Sequence, residues 1–159
     1  MTKKTKNGFT IIEAVVSIAV ITIAFWGFSE LARYNYSIQE QNNIKTQAIG
    51  LASEAIEIIR GIRNGNWNDI SSLTTGIDYY LNISAGNWIL TTTNPGLING
   101  IYTRRIRFEQ VNRDANDNIT YDDGSLDSGT KKIQIFVEWD NKGGTKQTSL
   151  STYLTNWNE

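Results

Sequence analysis

One carboxylate stands inside the most apolar stretch of the chain. Phe9 to Phe28 reads FTIIEAVVSIAVITIAFWGF, 20 residues whose single charge is Glu13. A carboxylate at the centre of a bilayer costs about 2.5–3.5 kcal/mol on insertion scales, so an acid in such a run reads as functional and needs a partner. The rest of the 159-residue chain offers little conventional catalytic chemistry. It contains no histidine and no cysteine. Serine–histidine triads, thiol nucleophiles and cysteine-based zinc sites are therefore excluded, and no disulfide can staple the fold. We expect a protein that is not an enzyme.

Three further clusters could carry chemistry. Asp114, Asn116 and Asn118, followed by Asp122 and Asp123, form a dense run of oxygen donors. Calcium takes six to eight such ligands, and this loop could supply several. The run lacks the spacing of a defined calcium loop, and Asn, Asp and Gly are also what a hairpin turn contains. No cofactor is expected on balance. Arg104, Arg105 and Arg107 with Lys131 and Lys132 could form a basic patch, with Tyr79, Tyr80 and Trp88 available to stack on bases. The overall charge of −1 argues instead for an exposed sheet face and against a nucleic-acid partner. Glu54 and Glu57 lie three apart on a helical stretch, but with no histidine or nucleophile nearby they read as a solvated face or as contacts to a sheet.

These residues need elements to position them. The leader MTKKTKNG is basic, and its lysines favour a cytoplasmic N-terminus. Phe9–Phe28 would make a helix about 30 Å long, enough to cross a hydrocarbon core. A secretory signal peptide carries about 7–15 apolar residues, fewer than this run. A plain anchor would tolerate Glu13 near the cytoplasmic edge. Beyond the run, Leu31, Tyr34, Ile38, Ala48, Leu51, Ala55, Ile59 and Ile62 recur at spacings of three and four, the mark of one helix face. The expected helix runs from 9 to about 62, or about 80 Å. Gly61 and Asn64-Gly65-Asn66 supply stop signals. Alternating segments follow at 77–83, 87–92, 102–108, 133–139 and 145–153, with Asp140 to Gly144 as a hairpin turn. The fold class is α+β: a long helix whose C-terminal half, through Leu51, Ala55, Ile58, Ile59 and Ile62, packs on a mainly antiparallel sheet.

The Gly8–Phe9 junction, the glutamate five positions into an apolar run and the basic leader together resemble the class III signal of type IV pilins and pseudopilins. The stretches Leu51–Trp67 (LASEAIEIIRGIRNGNW) and Val137–Trp157 (ending TYLTNW) are similar to the V-type branch of minor pilins. The resemblance implies a leader at 1–8, a transmembrane and filament-core half-helix at 9–28, a packing half at 29–62 and a β-rich pilin domain at 63–159. It implies cleavage after Gly8 by a prepilin peptidase, methylation of the new amine at Phe9, and pairing of that amine with Glu13 to set the register between subunits. Its partners would be other pilin subunits, an assembly platform and its ATPase, and the membrane before assembly. The precursor would cross the cytoplasmic membrane once, with its C-terminal part outside. The assembled filament would be extracellular or periplasmic. The alternatives are a type II secretion pseudopilin and a membrane-tethered binding domain.

Overall fold

The computed structural model describes residues 8–120, 123–141 and 143–157. The chain divides into two compact units, Met1–Asn43 and Ile44–Glu159. One helix, α1 (Ile11–Gly65), begins in the first and ends in the second. Its first turn is capped by Thr10, whose Oγ1 accepts a hydrogen bond from the Glu13 amide at 3.3 Å. Thr10-Ile-Ile-Glu13 has the spacing of a capping box, and a negative charge at Glu13 also suits the positive end of the helix dipole. The helix passes Gly61 and stops at Gly65. Glycine within a helix costs about 1 kcal/mol relative to alanine, and Ile62, packed against the core beyond Gly61, helps carry the helix past it. Asn66 then receives the Asn68 amide on its Oδ1, and the short helix α2 (Asn68–Ser71) follows.

In the second unit the strands are β1 (Asp78–Ser84), β2 (Asn87–Thr91), β3 (Tyr102–Arg113), β4 (Ile119–Thr120), β5 (Ser125–Asn141) and β6 (Gly144–Thr155). Their order is β2-β1-β3-β5-β6, with β4 paired to the end of β3. Every pairing is antiparallel. The α+β reading therefore holds: a long N-terminal helix followed by an antiparallel sheet, arranged as in pilins. β5 starts eight residues before the expected segment, at Ser125. Its early part pairs with Val111 to Arg113 across a bulge between Gln110 and Val111.

Ala48, Ala52, Ala55 and Ile59 are fully buried. Their spacing of four, three and four makes one stripe on α1. The stripe is rotated from the expected one, since Leu51, Ile58 and Ile62 are only half-buried at its margin. Alanine at three of the four positions leaves room for large sheet side chains to reach the helix backbone, as Tyr102 and Arg104 do at the Ile44 and Leu51 carbonyls. Against it stand the alternating Tyr102, Ile106 and Phe108 of β3 and Ile133, Ile135 and Val137 of β5, each at most 1% exposed. The Tyr102 hydroxyl donates into the helix, lying 3.1 Å from the Ile44 carbonyl and 3.2 Å from Gln47 Oε1.

Gly124 closes the β3–β5 connection with φ +121°, and a β-carbon there would run into the Arg113 carbonyl oxygen. Gly124→Ala is expected to cost about 1–3 kcal/mol through backbone strain. Urea denaturation reads this directly, and an unchanged midpoint would refute the conflict.

Candidate functional site

The first unit presents apolar side chains on every side. Along Phe9–Phe28 the large hydrophobic residues are 56–83% exposed. A helix that is apolar all round is one that its surroundings must bury. Among the described residues, α1 is long and apolar enough to cross a membrane. The hydroxyls of Ser17, Thr22 and Ser29 are satisfied within the helix. Ser17 Oγ donates to the Glu13 carbonyl at 2.7 Å, Thr22 Oγ1 to Ile18 at 2.7 Å and Ser29 Oγ to Phe25 at 2.9 Å. Such back-bonding removes the cost of placing an unpaired hydroxyl in hydrocarbon. In this setting Glu13 is the carboxylate without such a solution, and its side chain is exposed on the first turn. Gly8 and Phe9 lie just ahead of the Thr10 cap, outside the helix. Lys3, Lys4 and Lys6 fall outside the described residues. The signal for the cap is local: Thr10 and Glu13 have the spacing of a T-x-x-E box at the start of the apolar run.

The oxygen-rich loop is a turn that spends its own carboxylate. Asp114 Oδ1 accepts the amides of Asn116 and Asn118 at 2.9 and 2.8 Å, and Oδ2 accepts the Asn118 side-chain amide at 3.1 Å. These bonds from Asn118 and Asn116 hold the Asp114 carboxyl below the ordinary carboxylate range. Asp122 lies outside the described residues. Among those described, no group of three or more potential ligands of the carboxylate, imidazole or thiol type is gathered to hold a metal ion. At the neighbouring Asp127, burial pushes the carboxyl up, but hydrogen bonds from Arg113, Thr130 and the Gly129 amide outweigh it and bring it down.

Both carboxyls are more acidic in the fold than in the free chain. Their contribution is thus complete above the ordinary value of about 3.9 and is lost as pH falls through the lower folded values. Amide protection at Asn116, Asn118 and Gly129, corrected for intrinsic exchange, is expected to fall below that pH while Ile135 stays protected. Uniform protection down to pH 2 would contradict the assignment.

The arginine and lysine residues do not form one patch. Arg104 and Lys131 are buried, whereas Arg105, Arg107 and Lys132 lie on the sheet face away from α1. There Arg105 Nη2 meets Glu138 at 2.7 Å, Arg107 Nη2 meets Asp78 at 2.7 Å, and Lys132 Nζ meets Glu109 at 2.9 Å. The guanidinium of Arg105 lies 4.5 Å from the Phe136 ring centre. Tyr79 is buried edge-on against Phe108, so it offers no free ring for stacking. Glu54 faces Arg104 at 3.4 Å and Glu57 pairs with Arg60 at 2.7 Å. Of the two alternatives, Glu54 thus takes the contact to the sheet and Glu57 the solvated face.

A family model described as the prokaryotic N-terminal methylation motif matches residues 3–29. No curated protein and no solved structure matches the chain. The match begins in the basic N-terminal stretch, takes in Gly8, Phe9, Glu13 and the apolar part of α1, and stops short of the second unit. It supports a type IV pilin-like prepilin, a structural subunit made as a membrane-anchored precursor that assembles with other pilin subunits.

Proposed function

We propose that this chain is a minor pilin of a type IV pilus-like filament, close to the V-type branch. Cleavage after Gly8 removes the leader 1–8, and the amine of Phe9 is methylated. Residues 9–28 serve first as a membrane span and then as filament core. Residues 29–62 form the packing half of the helix, and residues 63–159 form the exposed domain. Assembly draws on the prepilin peptidase, the platform protein and its ATPase. The finished filament stands outside the cytoplasmic membrane.

The observation that carries this reading is the coincidence of the methylation motif with a helix segment left apolar on every side. A methylated amine stays cationic, so it can still pair with a carboxylate when both leave water. Pairing recovers part of the desolvation cost of each charge and prefers one axial offset between neighbouring rods. Head-to-tail packing of identical rods gives an open polymer. The resemblance of Leu51–Trp67 and Val137–Trp157 to accessory pilins supports a minor role over a major one.

Intact-mass and N-terminal peptide spectrometry on protein from a host with its prepilin peptidase tests the reading. A chain starting at Phe9, with or without one methyl group, is expected. A chain still starting at Met1 or Thr2 would mean a plain anchor, and one starting near Glu30 a secreted domain. Either would overturn the proposal.

A further inference from the structure

β1 and β3 part company early. They pair at Asp78↔Arg107 and Tyr79↔Ile106 and nowhere beyond. The same register continued would set Leu81 opposite Arg104, but from Tyr80 onward β1 follows β2. A crevice of about 210 Å³ opens where the strands separate. Its apolar walls are Leu51 of α1, Leu81 and Trp88 of the β1–β2 hairpin, and Pro95 and Ile98 of the loop that leads into β3. That loop is turned back by Asn99 and Gly100, both with positive φ, and pinned by paired backbone bonds between Ile98 and Tyr102 at 2.8 and 3.0 Å. Asn-Gly is the sequence such tight turns favour.

Arg104 and Glu54 are the charged residues lining this crevice. The Arg104 side chain is 6% exposed. Its Nη1 donates to the Leu51 carbonyl at 3.0 Å and lies 3.4 Å from Glu54 Oε2. Burial lowers the affinity of the guanidinium for its proton, and Glu54 works against that. Among the described residues no hydrogen bond uses Nε or Nη2 of Arg104, and no buried side-chain nitrogen is left without a partner. These two nitrogens therefore keep access to the space beside them. They form the side-on edge of the guanidinium, the fork that matches the two oxygens of a carboxylate.

We infer that the crevice between α1, the β1–β2 hairpin and the 92–101 loop binds a small monocarboxylate with a compact apolar body. The carboxylate is held by Nε and Nη2 of Arg104, and the body lies against Trp88, Leu81 and Ile98. The volume sets the size, since drug-sized ligands fill about 300–1,000 Å³. A phenyl or branched alkyl group is the largest body that fits. Glu54 keeps the empty site neutral and competes with the ligand for the same guanidinium.

The test uses the full-length protein in detergent micelles, labelled with ¹⁵N, observing the Arg104 Nε–H and Trp88 indole signals. Phenylacetate and isovalerate are expected to shift both signals saturably, with affinity in about the millimolar range. Phenylacetamide, equal in shape but uncharged, is expected to leave them in place. Arg104→Lys keeps a charge but loses the fork, and should weaken binding at least about tenfold. Glu54→Gln, at a half-exposed position the fold tolerates, removes the competitor and should tighten binding about three- to fivefold. That arm stands even if Arg104→Lys fails to fold. Equal responses to acid and amide, a shift that never saturates, or an affinity unmoved by Glu54→Gln would each overturn the inference.

Discussion

Glu13→Ala is expected to abolish or sharply reduce incorporation into filaments while leaving the precursor in the membrane. Two roles for Glu13 predict this, and a second variant separates them. In the capping box the glutamate supports the first turn of α1 beside Thr10, a contribution that glutamine also supplies. In the register role its charge pairs with the amine of Phe9 on a neighbouring subunit, which glutamine does not supply. Glu13→Gln should therefore fail to incorporate nearly as completely as Glu13→Ala. Quantitative immunoblotting of sheared filament and membrane fractions reads both variants against wild type. Normal incorporation of Glu13→Gln would assign the residue to helix capping and remove charge pairing from the account. Normal incorporation of both would leave only a tether.

Phe108→Ala is expected to cost about 3–5 kcal/mol in the second unit. Phe108 is fully buried, belongs to the same core as the buried stripe of α1 and meets Tyr79 edge-on with ring centres 5.7 Å apart. Truncation would remove the transfer free energy of the ring and leave a cavity between rigid walls. Phe136, on the other face of the sheet, is the control. Its ring lies under the Arg105 and Arg107 guanidinium groups, 4.5 and 5.9 Å away, so Phe136→Ala should cost far less. Urea denaturation of the detergent-solubilised chain, followed by tyrosine and tryptophan fluorescence, measures both. Similar midpoints for the two variants would show that the helix-facing side is not the core.

Much of this arrangement is legible in the residues. The alternation of Tyr102, Arg104, Ile106 and Phe108 places all four on one face, and the structure buries all four. The same parity separates Arg104 from Arg105 and Arg107, so the expected basic patch is split between two faces. The role of Glu54 depends on which helix turn lies over β3, a tertiary fact with no local signal. The early start of β5 is hidden for a similar reason. Ser125 to Gly129 is polar and turn-forming by composition, and its pairing with Val111 to Arg113 is set by the bulge at Gln110 rather than by its own pattern. The rotated stripe on α1 follows from size. Leu51 and Ile62 are stronger hydrophobes than Ala52, but a small residue leaves the room that side chains as large as Tyr102 and Phe108 fill. The N-terminal segment was legible because its chemistry is local, with the junction, the cap and the carboxylate within six residues of each other.

The outer face of the sheet is quiet at long range. Arg105, Arg107 and Lys132 each sit within 3 Å of a carboxylate oxygen on Glu138, Asp78 or Glu109. Opposite charges this close present dipoles to the solvent, and their field fades well inside the roughly 8 Å screening distance of physiological salt. Electrostatic steering needs a net charge that reaches farther than that. A polyanion and a polycation would therefore drift toward this face at much the same rate, and whatever holds to it must be selected by fit after touching.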